Sequence, residues 1–125
     1  TEIEESEKVL GFLLERKIRT EKGSEYSLYE LIKEASIPDE KGLFLFEREC
    51  KATIERYGMI LHNDTLYISN TSDNAAGLFK NSVYESGWKD QLLRADGVTR
   101  HHTTKRFNGK PSRCLEVNLT EIGVL

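Results

Sequence analysis

The sequence predicts a mixed α+β domain, helical in its first half and closing on a β-hairpin. Three observations carry that expectation. Apolar residues recur at i+4 near the N-terminus, with Val9/Leu13 and Leu10/Leu14/Ile18 stacked along one side. Trp88, Leu92 and Ala95 repeat a helical spacing late in the chain. Asn108-Gly109 separates two β-prone runs, and both central residues of a type I′ turn need the positive φ that Asn and Gly tolerate best.

Taken in order, residues 4–19 form the first expected helix, and "RTEKGSEY" is a polar break. "SLYELIKEA" opens with a capping box, Ser27 capping and Glu30 three residues on, and Pro38 lies past its end. Phe46, Cys50, Ile54 and Tyr57 space a helix from about Leu43 to Tyr57, with Gly58 placed to end it. Leu43 to Phe46 also fits a short buried strand. "ILHNDTLYIS" reads as a small hairpin around Asn63-Asp64 or as one irregular strand. Ser72 and Asp73 can cap a helix holding Ala75, Ala76, Leu78 and Phe79. Gly87 breaks the chain before the helix "WKDQLLRA", which Asp96-Gly97 ends. Val98 to Phe107 and "RCLEVNL" then pair across Asn108-Gly109. A two-residue turn there sets Phe107 opposite Lys110, Thr104 opposite Arg113 and His101 opposite Glu116.

The 125 residues suit one compact domain, with 1–42 as an N-terminal helical part and 43–125 as the main α+β part. No apolar run approaches the roughly 18–20 residues of a membrane span, and the acidic opening has no signal-peptide pattern. A cytoplasmic protein without membrane contact is expected. Cys50 and Cys114 lack CxxC or Cys-His spacing, so reduced structural thiols are the simplest reading.

A net charge of −3 conceals an asymmetry. Residues 1–49 hold thirteen carboxylates against eight Lys/Arg, whereas residues 80–113 hold eight Lys/Arg against three carboxylates. "RHHTTKRFNGKPSR", Arg100 to Arg113, has five cations and no carboxylate. Within a Debye length of roughly 8–10 Å, a phosphate backbone responds to such local charge rather than to the total. From Leu43 the order helix, strand, helix, turn, helix, hairpin is that of a winged helix, in which the helix after the turn enters the major groove and the hairpin lies along the backbone. On that reading Lys89, Gln91 and Arg94 belong to the recognition helix, with Gln91 and Lys89 suited to base edges. Arg100, His102, Lys105, Arg106, Lys110 and Arg113 line the wing against duplex or forked DNA. A basic hairpin also serves as a solubilising edge, or as a docking surface for an acidic protein. A second frame builds the winged helix from "SLYELIKEA", "ERECKATIERYGM" and the Asn63-Asp64 hairpin, whose wing is uncharged.

One catalytic pattern can be written down. Pro38-Asp39 and, ten residues on, Glu49-Cys50-Lys51 match a PD…(D/E)xK nuclease signature, in which Asp39 and Glu49 hold Mg²⁺ and Lys51 orients a water. The chemistry needs Glu49 and Lys51 on one strand face, and a helix there turns them about 200° apart. His101-His102 sit next to each other, so a strand points them to opposite faces and they chelate one ion poorly. No cofactor or resident metal is expected. Trp88 is read as core rather than as a base-stacking platform.

The stretch "LYISNTSDNAAGLFKNSVYESGWKDQLLRADGVTRHHTTKRFNGKPSRCLEVNL" resembles the C-terminal winged-helix accessory region of phage- and plasmid-type superfamily 3 primase-helicases. The resemblance covers roughly residues 66–119 and rests on Trp88, Leu92, Leu93, Gly97, Gly109 and Arg113. It implies an accessory module of a replication or mobile-element protein that grips DNA beside an ATPase or primase domain. No GxxxxGK[ST] loop occurs in this chain, so the ATPase would lie elsewhere.

Overall fold

The computed structural model describes residues 1–35, 51–71 and 73–125. It is a mixed α+β fold. Helix α1 spans Glu2–Glu15, and its first turn is closed by a capping box between Thr1 and Glu4. The chain then forms a short antiparallel hairpin, β1 (Lys17–Arg19) and β2 (Glu25–Ser27), with Ile18 opposite Tyr26. The expected first helix therefore stops at Glu15, four residues early. Ile18 still reaches the core, because alternation in β1 buries it between exposed Lys17 and Arg19. The polar break proves to be the turn and second strand of this hairpin.

Helix α2 (Leu28–Ala35) starts where the capping box places it: Glu30 N–H donates to Ser27 Oγ at 3.1 Å, and Ser27 N–H donates to the Glu30 carboxylate at 3.4 Å. Helix α3 covers Lys51–Arg56, the described part of the expected 43–57 helix, and Gly58 follows with φ +73°. Strands β3 (Met59–His62) and β4 (Thr65–Ser69) form the hairpin expected at Asn63-Asp64. Helix α4 is only Asp73–Gly77, so Leu78 and Phe79 lie beyond it in the following turns rather than inside it. Helix α5 is Trp88–Leu93, entered through Gly87 at φ +79°. Strands β5 (Val98–Phe107) and β6 (Lys110–Asn118) complete a four-stranded antiparallel sheet in the order β3-β4-β6-β5.

One face of this sheet is the floor of the core. Leu66 and Ile68 of β4 sit opposite Val117 and Leu115 of β6, and Val98 of β5 opposes Val117. All five are at most 5% exposed. Helices α1 and α5 pack together above it, and the buried cluster is continuous from Val9 to Val124. The N-terminal part thus shares its core with the rest. A stack of rings joins the layers: Phe79 lies 4.9 Å from Trp88 at 12° and 5.8 Å from Phe12 at 30°. Trp88 is buried, as expected of core.

Two glycines contrast. Gly97, at φ +83° between α5 and β5, leaves no room for a side chain: a Cβ would meet Ile122 Cγ2 at 2.8 Å. Gly11, in mid-α1, costs the helix about 0.5–1 kcal/mol relative to alanine, yet a Cβ there meets nothing within 4 Å.

Candidate nucleic-acid interface

The β5–β6 hairpin is built by its turn. Asn108 and Gly109 both take positive φ (+52° and +79°), the signature of a type I′ turn that matches the right-handed twist of the strands. Phe107 opposes Lys110 and Thr104 opposes Arg113, as the turn dictates. The register then slips. Arg100 opposes Leu115 and Thr99 opposes Glu116, so residues 101–103 face only Cys114. His101 is therefore not opposite Glu116, a correction to the uninterrupted register. The cause is a bulge, which lets β5 accommodate extra residues and re-aims its side chains.

The bulge nevertheless brings His101 and Glu116 together. His101 Nδ1 donates to Glu116 Oε1 at 2.9 Å, and Nε2 shares a 2.6 Å hydrogen bond with the Thr103 hydroxyl. Thr99 donates to the other carboxylate oxygen at 3.3 Å. The His101 ring meets Tyr67 edge-on at 5.3 Å, and Lys105 Nζ sits 4.3 Å above the Tyr67 ring. Burial, with Glu116 alongside, pushes the Tyr67 hydroxyl pKa up. The same two causes lift the Cys114 thiol to about 11, so it stays protonated and unreactive near neutral pH.

Directly opposed strand residues share a face, and the register sorts the cations into two sets. Arg113 alternates with Leu115 and Val117, Arg106 lies opposite Pro111, and Arg100 lies opposite Leu115. These three arginines share the core-side face, beyond the helices that cover it, and all are exposed. Lys105 opposite Ser112, and Lys110 opposite Phe107, lie on the other face. Among the described residues Arg100, Arg106, Lys110 and Arg113 make no ion pair; Arg106 donates only to the Gly109 carbonyl at 3.1 Å. His102 is exposed within the bulge.

The hairpin does not swing free. Asn108 Nδ2 donates to the Glu55 carbonyl at 3.2 Å, pinning the turn to the end of α3. Two residue pairs from the turn, Ser112 Oγ lies 2.9 Å from Ser69 Oγ and 2.8 Å from Thr71 Oγ1. A cleft of about 360 Å³ opens beside the turn, lined by Glu55, Thr71, Asp73, Phe107 and Lys110 among others. Lys110 therefore shares its surroundings with two carboxylates, and the unopposed positive charge is on the arginine side.

The candidate helix residues are placed differently. Lys89 Nζ donates to the Asn70 carbonyl and stands 5.5 Å from the Trp88 ring centroid, tying α5 to the end of β4. Gln91 is half-buried, with Oε1 enclosed and unpartnered among the described residues. Arg94 is exposed at the C-terminal end of α5. The structure thus gathers the three hairpin arginines on one face, places Lys105 and Lys110 on the other, and turns Lys89 and Gln91 toward the protein itself. Lys51 is exposed at the start of α3; its expected companions Asp39 and Glu49 lie outside the described residues. Among the described residues no group of three or more His, Cys, Asp or Glu is arranged to hold a metal, and no helix is long and apolar enough to cross a membrane.

The bulge network and the Ser69/Thr71/Ser112 cluster were not visible in the sequence. The first joins His101 to side chains of other strands and the second spans up to 43 positions, through residues that carry no local pattern. No protein-family profile matches the chain, and no curated protein or solved structure matches it.

Proposed function

We propose that the chain binds DNA without acting on it chemically, gripping backbone phosphates with the arginine side of the β5–β6 hairpin. The observation that carries this reading is the set Arg100, Arg106 and Arg113, exposed on one face with no carboxylate partner among the described residues. Guanidinium groups suit phosphate oxygens because their planar donor fork can bond two at once. The strand order β4-β6-β5, with α4 and α5 between β4 and β5, is also the connection order of a winged helix. That agreement supports the finer fold reading, in which β5–β6 is the wing.

Because Lys89 and Gln91 are engaged or half-buried within the domain, the wing rather than α5 is the principal contact. Binding should accordingly be weakly dependent on base sequence. In the context of the resemblance, the domain would serve as an accessory module that holds duplex or forked DNA for an ATPase or primase partner.

A mobility-shift assay at low salt with duplex, forked and single-stranded DNA tests the proposal. Duplex or fork is expected to shift, and Arg106→Ala with Lys110→Ala to weaken the shift. The DNA should remain intact when Mg²⁺ is added. Cleavage that disappears in Lys51→Ala would overturn the non-enzymatic reading in favour of a nuclease.

A further inference from the structure

Helix α1 carries a surface that none of the hairpin cations lines. Two grooves flank α1 and meet at Gly11 and Leu14. One, about 470 Å³, runs between α1 and the start of α2, past Tyr29. The other, about 400 Å³, runs between α1 and the C-terminal turns, past Ala95 and Ile122. Their floor is apolar: Leu10, Leu14, Ile122 and a Tyr29 side chain that is 42% exposed. Their rims are acidic. Glu15 and Glu30 border the first, with Lys17 as its cation, and Glu7, Asp96 and Glu121 border the second. Among the described residues Glu7, Glu15, Asp96 and Glu121 form no ion pair.

Gly11 is the second clue. Glycine is a poor choice in mid-helix, and neither backbone strain nor internal packing requires it here, since a Cβ would stand in open space. A missing side chain at that point lowers the ridge between the two grooves and lets another backbone approach α1 closely. Apolar grooves on helical surfaces are typically filled by the apolar face of an amphipathic helix, anchored at i, i+3, i+4 and i+7.

We propose that this face of α1 docks a basic amphipathic helix from a partner protein. The apolar seam of that helix would cross over Gly11 between Leu10, Leu14 and Tyr29, and its Lys/Arg flanks would meet the two carboxylate rims. Charge complementarity selects the sign of the partner, and the merged grooves select a helix.

The test uses the full chain and two labelled synthetic helices of about five turns with the same leucine seam, one flanked by lysine and one by glutamate. The lysine peptide is expected to bind saturably and more weakly as salt rises, and the glutamate peptide not to bind. Gly11→Leu fills the junction without burying anything polar, and leucine favours helix. It should keep the circular dichroism and DNA affinity of the parent while weakening the lysine peptide roughly 10-fold or more. Equal binding of both peptides, unchanged binding by Gly11→Leu, or no saturable binding would overturn the proposal. So would a dimer in sedimentation that Gly11→Leu dissolves, because the face would then belong to a second copy. DNA affinity is read separately, so either assignment can fail alone.

Discussion

Phe79→Ala is expected to cost about 3–5 kcal/mol of stability, the usual range for emptying a buried phenylalanine site. Phe79 is fully buried, and its ring is the middle layer between Phe12 of α1 and Trp88 of α5. The loss combines the transfer of the ring, the cavity left behind and two aromatic contacts of roughly 0.5–1.5 kcal/mol each beyond their area. Two rigid neighbours on different helices cannot both collapse into the space. A domain of this size has only about 5–15 kcal/mol in total, so the variant should lose roughly a fifth of it or more. Urea denaturation should show the midpoint falling with little change in slope. Val83→Ala is the control: Val83 is 90% exposed, and its loss should stay within about 0.5 kcal/mol. A cost near 1 kcal/mol for Phe79→Ala would mean that the ring stack does not hold α1 to α5.

The second large effect is on DNA. Replacing Arg100, Arg106 and Arg113 together by alanine should weaken duplex binding by about two to three orders of magnitude near 0.1 M salt. Each phosphate contact carries about 0.9 of a log unit in K per decade of salt, which is roughly 10-fold per arginine at that concentration. Lys105→Ala with Lys110→Ala should do less. Lys105 is drawn over the Tyr67 ring, and Lys110 lines a cleft with Glu55 and Asp73. All three arginines are exposed, so the variant should remain folded. If the lysine pair proved the more damaging, the contact surface would be the other face of the hairpin.

How far the sequence could be read depended on whether the governing physics was local. The Ser27/Glu30 capping box, the Asn63 and Asn108-Gly109 turns and the glycine at 87 were legible, because each is decided by a few consecutive residues. Helix α1 was overextended because Ile18 continues an i+4 series that β1 also satisfies by alternation. From residue 51 onward the order of the helices and strands was visible, whereas the β1–β2 hairpin was not, nor was the pairing of β4 with β6, which joins segments about 50 residues apart. Within the candidate interface, the clustering of cations could be seen from "RHHTTKRFNGKPSR". Their division into an arginine face and a lysine face could not, because the bulge at residues 101–103 shifts the register two residues against the turn. Nothing local in "RHHTT" marks that bulge; it is stabilised by Glu116, Thr99 and Tyr67 from elsewhere in the sheet and strand. Lys89 and Gln91 have side chains suited to base edges, and tertiary packing gave both other surroundings.

The central claim is that the arginine face of the hairpin binds DNA phosphates, and a salt titration of duplex affinity by fluorescence anisotropy tests it most directly. Three to five contacts predict that log K falls linearly with log salt at a slope between about −2.7 and −4.5. The Arg100/Arg106/Arg113 alanine variant should reduce the magnitude of that slope by about 2.7. Absence of binding to duplex, fork or single strand at low salt, or a slope that the three substitutions leave unchanged, would contradict it.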